Sequence, residues 1–225
     1  MKEDIYAKLK FADCIITQRT EFSKPKVISG NLEINNKILA FFSGNIEDEM
    51  FRKTNIDKVI VPNSTISIGN YSFDDSELSE IKLPFSIKNI GKCAFRRCLI
   101  KNIILPDGIE SIGEAAFRNC YKLQNIILPE TISEIKKSTF FGCINLEHID
   151  LPDNVKIIGK HAFDKCNNLS YLKIPHNIKL IGYCAFPDCK DMCFVYHGVE
   201  YTNKQELITC LNRNHVDVNS YSFRQ

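Results

Sequence analysis

The chain has 225 residues, of which 44% are hydrophobic and 25% are charged, and its formal net charge is +2. These proportions are typical of a globular protein that is long enough to bury a substantial core. The small net charge argues against a dedicated nucleic-acid or membrane-surface binder, because such proteins normally carry a strong basic excess.

Residues 1–33 are interrupted by charged residues before any apolar stretch reaches the length of a signal peptide. No run in the chain approaches the roughly 18 to 20 apolar residues that cross a bilayer. We therefore expect a cytoplasmic protein, or a surface or secreted one if a leader has been removed, with no membrane insertion. The segment CIITQRTEF, residues 14–22, predicts a strand, and we interpret residues 1–33 as an N-terminal β cap.

Residues 34–191 repeat at a regular step, and the first copy is degenerate because it lacks the proline. The repeat is marked by six prolines and seven phenylalanines in the same register: Pro62, Pro84, Pro106, Pro129, Pro152 and Pro175, with Phe51, Phe73, Phe95, Phe117, Phe140, Phe163 and Phe186. The steps between successive prolines are 22, 22, 23, 23 and 23. The consensus is L-x-x-I-x-L-P-x-x-I-x-x-I-G-x-x-A-F-x-x-C. A period of roughly 20 to 29 residues with leucines in this arrangement predicts a leucine-rich repeat solenoid.

Each consensus position has a physical reason. The stretch L-x-x-I-x-L predicts a strand with one buried face, and proline ends it because proline has no amide hydrogen for a ladder. Ile109 and Ile112 then return to the core, and Gly113 predicts a tight turn in an unusual backbone conformation, although Lys136 stands at the equivalent place one repeat later. A single coil cannot bury its own apolar edge, so neighbouring coils must stack.

The chain has ten cysteines, and five of them follow the repeat phenylalanine by three positions: Cys98, Cys120, Cys143, Cys166 and Cys189. Equivalent positions in a stack form a column of small buried groups. Adjacent rungs lie about 4.8 Å apart, so distance alone allows disulfides, but a row of five cannot all pair. We interpret the five as buried free thiols.

This consensus, with IG..AF..C after L..I.LP, closely resembles the BspA-like class of leucine-rich repeat over residues 56–191. The resemblance implies a right-handed solenoid with a parallel β-sheet on its concave face and short strands or turns on the convex side. Known members occur in bacteria and protists, frequently as surface proteins implicated in adhesion or host contact. Those properties come from the resemblance and not from the spacing.

Residues 192–225 leave the consensus and predict a C-terminal strand-plus-helix cap. MCFVYHG, residues 192–198, is the last strand, and TNKQELITCLNRN follows it. Thr202 or Asn203 is placed to cap a helix that carries Leu207, Ile208 and Leu211 on one face. Caps and repeats together form one continuous domain.

The outward positions of the predicted strands form two columns across the sheet. Ile104 and Ile127 place apolar surface where solvent is expected, and aromatic residues accumulate toward the C-terminal end, as at interface centres. The opposing interpretation is that isolated exposed isoleucines are normal. The predicted partner-binding residues are Asn102, Ile104, Asn125, Ile127, His148, Asp150, Tyr171, Lys173, Phe194 and Tyr196.

Three other constellations are weaker. His148 and Asp150 share a strand face beside Tyr171, but no nucleophile accompanies them. The intervals between Cys184, Cys189, Cys193 and His197 match no standard zinc pattern, so we expect no metal site and no cofactor.

Basic residues occur in the turns around the repeat phenylalanines. They could form a ridge that attracts acidic partners, or they could simply form a solvated edge, which is the interpretation we favour. They are Lys92, Arg96, Arg97, Arg118, Lys122, Lys137, Lys160 and Lys165.

The sequence therefore predicts a non-enzymatic module that binds a protein partner through the concave strand face. The alternative is a surface adhesin for host matrix or glycan, and a remote one is a hydrolase centred on His148 and Asp150. Binding of nucleic acid is not expected.

Overall fold

A computed structural model of the chain describes residues 44–187 and 192–218, together with the backbone of four strands between residues 15 and 40. Its single helix within those ranges, α1, spans Lys204–Arg213. The strands are β1 Ile15–Ile16, β2 Ile28–Ser29, β3 Asn31–Ile34, β4 Lys37–Ala40, β5 Ile56–Ile60, β6 Ser67–Ile68, β7 Glu80–Lys82, β8 Asn89–Ile90, β9 Asn102–Ile104, β10 Ser111–Ile112, β11 Asn125–Ile127, β12 Glu134–Ile135, β13 Ile157–Ile158, β14 Tyr171–Lys173, β15 Leu180–Ile181, β16 Cys193–Tyr196, β17 Val199–Tyr201 and β18 Asp217–Val218.

The repeats form a parallel β-solenoid with two walls. The long-strand wall contains β5, β7, β9, β11, β14 and β16, and the coil between β11 and β14 pairs with it through the isolated bridge between Asn125 and His148. The short-strand wall contains β6, β8 and β10, then β12, β13, β15 and β18. The predicted solenoid of parallel strands is confirmed.

The hydrogen bonding of the short-strand wall is interrupted between β10 and β12. At this point the step between repeats lengthens by one, and Lys136 replaces the repeat glycine. Gly113 does not adopt the unusual backbone conformation that the sequence predicted, so that expectation was wrong. A Cβ on Gly113 would lie 2.4 Å from the carbonyl carbon of Gly91, so glycine is required there for close approach between coils.

A column of stacked phenylalanine rings fills the core between the walls. Consecutive rings from Phe51 to Phe186 are nearly parallel, with centroids 5.0 to 6.4 Å apart. Phe194 closes the column with an edge contact to Phe186 at 5.0 Å. All of these rings are buried. One ring per coil thus ties each repeat to the next.

The cysteine column lies beside the rings. Cys98, Cys120, Cys143 and Cys166 are free and buried, and each thiol donates to a phenylalanine carbonyl of the preceding coil at 3.0 to 3.1 Å. The prediction of buried free thiols is confirmed for these four, whereas Cys189 lies outside the described residues.

The C-terminal part begins with the hairpin of β16 and β17 and continues into α1. Asn203 caps the helix through its side-chain oxygen, which accepts from the amides of Gln205 and Glu206. Leu207 and Leu211 are buried, so the predicted helix and its apolar face are confirmed. The N-terminal β cap falls on residues for which only short stretches of backbone are described.

Candidate interaction surface

Side chains alternate between the two sides of a strand, so every second residue of the long-strand wall points outward. These outward side chains form the surface that we call the long-strand face. In β7, β9, β11 and β14 the middle residue is buried and both flanking residues are exposed. Eight of the ten predicted site residues lie on this face: Asn102, Ile104, Asn125, Ile127, His148, Asp150, Tyr171 and Lys173.

Ile104 and Ile127 lie opposite each other on β9 and β11, with 67% and 58% of their surfaces exposed. Beside them the Asn125 side-chain amide donates to the Asn102 side-chain oxygen at 2.8 Å. Two paired amides and two adjacent isoleucines therefore form one ordered patch that offers both hydrogen bonding and apolar contact.

His148 and Asp150 extend this patch toward the C-terminal end. The His148 Nε2 atom lies 3.1 Å from Asp150 Oδ1, and the imidazole stacks on the Tyr171 ring at a centroid distance of 6.2 Å. No hydroxyl or thiol forms a hydrogen bond with His148 among the residues that the structure describes, and the Cys143 thiol is bound to the Phe117 carbonyl in the core. The imidazole is therefore oriented by Asp150 and Tyr171, and within the described ranges it contacts no nucleophile.

Phe194 and Tyr196 were predicted to face outward, and that prediction was wrong. Both side chains are buried, because Tyr171 pairs with Cys193 rather than with Phe194. The step from Tyr171 to its partner on β16 is one residue shorter than the repeat predicts. A slip of one residue moves every side chain of the strand to the other face. Cys193 and Val195 occupy the outward positions instead and are half-buried.

The basic turn residues are already engaged with their own chain in several places. Arg96 makes a bidentate ion pair with the buried Asp74, at 2.6 and 2.8 Å, and the Arg52 guanidinium lies 3.2 Å from the same carboxylate. Arg118 and Lys165 lie over the Phe141 ring at 4.4 and 5.1 Å. These contacts favour a structural role for the turn over a continuous basic ridge.

A groove that the sequence analysis missed runs along the short-strand wall, with a volume of about 780 Å³. Its lining includes glycines of successive coils and charges of both signs, among them Lys136, Lys160, Glu114 and Glu134. The glycine column in the sequence does not signal this groove, because the missing Cβ atoms allow close approach between coils and do not open a recess.

Three members of the motif formed by Cys184, Cys189, Cys193 and His197 lie among the described residues. Cys184 is buried, Cys193 is half-buried, His197 is exposed, and Cys189 lies outside the described residues. No cluster of three or more potential metal ligands occurs within 44–187 and 192–218. The same ranges contain no helix that is both long and apolar enough to span a bilayer.

The fold and the repeated core define the class of protein as a leucine-rich repeat solenoid. A sequence model described as "BspA type Leucine rich repeat region" matches in six copies over residues 44–169 and 133–221. The chain belongs to the BspA-type leucine-rich repeat family, whose repeats are typically non-enzymatic scaffolds.

Solved structures of similar fold include a Treponema pallidum leucine-rich repeat protein, TpLRR, at 21% identity and a TM-score of 0.50, with 78% of each chain covered. A leucine-rich repeat protein from Eubacterium ventriosum has 19% identity and a TM-score of 0.60, covering 75% of this chain and 48% of its own. A search of curated protein sequences gave no significant match. The structural likenesses support the fold alone.

Proposed function

We propose that this chain is a non-enzymatic interaction module that binds a protein partner through its long-strand face. The observation that carries the proposal is the pair Ile104 and Ile127, which are exposed on adjacent rungs beside an ordered amide pair. Apolar and aromatic groups with a polar surround are typical of the centre of a protein interface.

The remaining members of the site support the same function. His148 and Tyr171 stack, which limits the freedom that each side chain would lose on binding. Asp150 and Lys173 are exposed at the edge of the patch and supply charges of both signs for partner selection. We leave Phe194 and Tyr196 out of the proposed site, because both side chains are buried.

The test is affinity capture from a native lysate, with mass spectrometry of the bound proteins, for wild type and for the double variant Ile127→Glu, Tyr171→Glu. A matched control is Ile144→Glu, Tyr121→Glu, since these two side chains are 39% and 43% exposed and precede the strand positions of adjacent coils. We expect a partner that is captured by wild type and by the control but lost with the long-strand variant.

If both double variants captured the partner as well as wild type does, a site on the long-strand face would be contradicted. Loss with the control alone would move the site to the turns that precede the strands. Capture of glycan instead of protein, measured on a glycan array with the same variants, would favour the adhesin alternative.

The remote alternative, a hydrolase centred on His148 and Asp150, is tested by measuring turnover. His148→Ala should leave any measured turnover unchanged, because no hydroxyl or thiol is bound to the imidazole among the described residues. Abolished turnover in that variant would contradict the non-enzymatic assignment.

A further inference from the structure

Two histidines from successive coils, distant in sequence, meet at the edge of the long-strand wall. His176 directly follows Pro175, and His197 lies at the tip of the hairpin between β16 and β17. Their Nδ1 atoms are 3.4 Å apart, and the ring centroids are 4.7 Å apart at an interplanar angle of 80°. Both side chains are exposed, so the contact is not imposed by burial in the core.

Rigid backbone holds both rings. Pro175 has a fixed φ, and its carbonyl accepts a hydrogen bond from the Ile178 amide at 3.2 Å in the turn that carries His176. Tyr196 pairs with Val199, and the two residues between them, His197 and Gly198, have φ of 52° and 77°. Such a turn favours Asn, Asp or Gly at both positions, and histidine is also among the residues enriched in the left-handed conformation.

The separation of the two nitrogens suits a metal ion. With a metal–nitrogen distance of about 2.0–2.1 Å, two ligands in a tetrahedral arrangement lie about 3.3–3.4 Å apart. We propose that the Nδ1 atoms of His176 and His197 bind a divalent transition-metal ion such as Zn²⁺ or Co²⁺. Imidazole is a common ligand for metals of this class.

The surface that leads to the pair is acidic. Asp107, Glu130 and Asp153 occupy the position equivalent to His176 on the three preceding coils, and each is exposed. Rungs of a parallel wall are about 4.8 Å apart, so the carboxylates form a short row ending at the histidines. None of the three has an ion-pair partner within the described part of the chain. Such a row raises the local concentration of cations.

The two histidines leave the coordination incomplete. No third side-chain ligand joins them within the part of the chain that the structure describes. The other positions are therefore open to water or to a donor group of another molecule, as in sites where a metal keeps exchangeable positions. The competing explanation is a hydrogen bond between the two imidazoles with no affinity for metal.

The experiment titrates the full chain with Zn²⁺ by calorimetry and with Co²⁺ by visible absorption, under reducing conditions without a chelator. The variants are His176→Gln and His197→Asn, since asparagine tolerates the left-handed backbone of the turn. Matched controls are His148→Gln and His215→Asn, because His215 also has a positive φ, of 58°. Thermal unfolding measured without metal verifies that each variant is folded.

We expect one ion per chain, tetrahedral cobalt absorption bands, and at least tenfold weaker binding in either variant but not in the controls. Equal affinity in His176→Gln and wild type would overturn the proposal. Thiolate-to-cobalt charge-transfer bands that persist in both variants would also overturn it, because they assign the metal to cysteine. Absence of binding to wild type would overturn it as well and leave a hydrogen-bonded histidine pair.

Discussion

Phe140 lies in the middle of the ring column, with centroids 5.7 Å from Phe117 and 5.4 Å from Phe163. Replacement by alanine should lower the free energy of unfolding by about 3–5 kcal/mol, because a buried ring leaves both a transfer loss and a cavity. Denaturant unfolding measures the change. Phe85→Ala is the control, since Phe85 is 81% exposed, and it should change stability by less than about 0.5 kcal/mol.

Asp74 is fully buried, and both of its carboxylate oxygens contact the Arg96 guanidinium. Asp74→Asn should cost about 3 kcal/mol of unfolding free energy, because it removes the counter-charge of Arg96 and Arg52. Asp75→Asn provides the comparison, since Asp75 is exposed and 3.9 Å from Arg97. That variant should cost less than about 1 kcal/mol, and equal losses in chemical denaturation would contradict a special role for the buried carboxylate.

The column of buried thiols makes stability depend on alkaline pH. Burial raises the pKa of Cys98 and Cys120 well above the ordinary value and raises that of Cys143. In the unfolded chain these thiols ionise from about pH 8.5 upward, whereas in the folded chain they stay protonated. The free energy of unfolding is therefore unaffected by these thiols below about pH 8.5. Above it, the free energy of unfolding falls by up to about 1.4 kcal/mol per pH unit for each thiol.

The measurement compares unfolding free energies at several pH values between 7.5 and 10 in wild type and Cys120→Ala, with reductant present. The alanine variant should lose less stability across this range, since one titrating group is gone. Parallel curves for the two proteins would show that other groups, such as tyrosines, control the alkaline loss.

At the scale of elements, each coil turns twice through a left-handed residue. One set follows the ring by two positions and comprises Lys53, Asp75, Arg97, Asn119, Gly142 and Lys165, all with positive φ. Only one of these six is glycine, although the conformation costs other residues about 1 kcal/mol or more. Tertiary packing of the coils therefore overrides the local preference.

Arg97→Gly should stabilise the protein by about 0.5–1 kcal/mol, because relief of the strained backbone exceeds the added entropy of the unfolded chain. The residue has a φ of 63°, and its ion pair with Asp75 is exposed and contributes little. The midpoint of urea unfolding reports the change. An unchanged or lower midpoint would mean that the arginine causes no measurable strain in the stack.

At the scale of the molecule, each coil is held only by the coils on either side, so stability should vary along the stack. Hydrogen exchange read by mass spectrometry should be slowest in the coils around Phe117 and Phe140 and faster toward the ends. Leu211→Ala should accelerate exchange in β17 and β18, which pack against α1, and leave the coil around Phe95 unaffected. Uniform acceleration along the chain would show a single cooperative unit.

The sequence by itself determined the solenoid, the common register of the repeat phenylalanines, the four observed thiols and the outward positions from Asn102 to Lys173. These features repeat, so a residue type that recurs at one step must occupy the same place in every coil. The helix α1 was also predictable, because its cap and apolar face are encoded locally.

Only the tertiary structure decided which side chains are buried where the repeat ends and which side chains of different coils are in contact. The shortened step to Cys193 turned Phe194 and Tyr196 into the core, and no periodicity could predict it because the last rung has no successor to set its register. Contacts between the repeat glycines, the pairing of Asp74 with Arg96, and the meeting of His176 with His197 all depend on how one coil is stacked on another. Such contacts join side chains of successive coils, and the chain encodes them only through the packing of those coils.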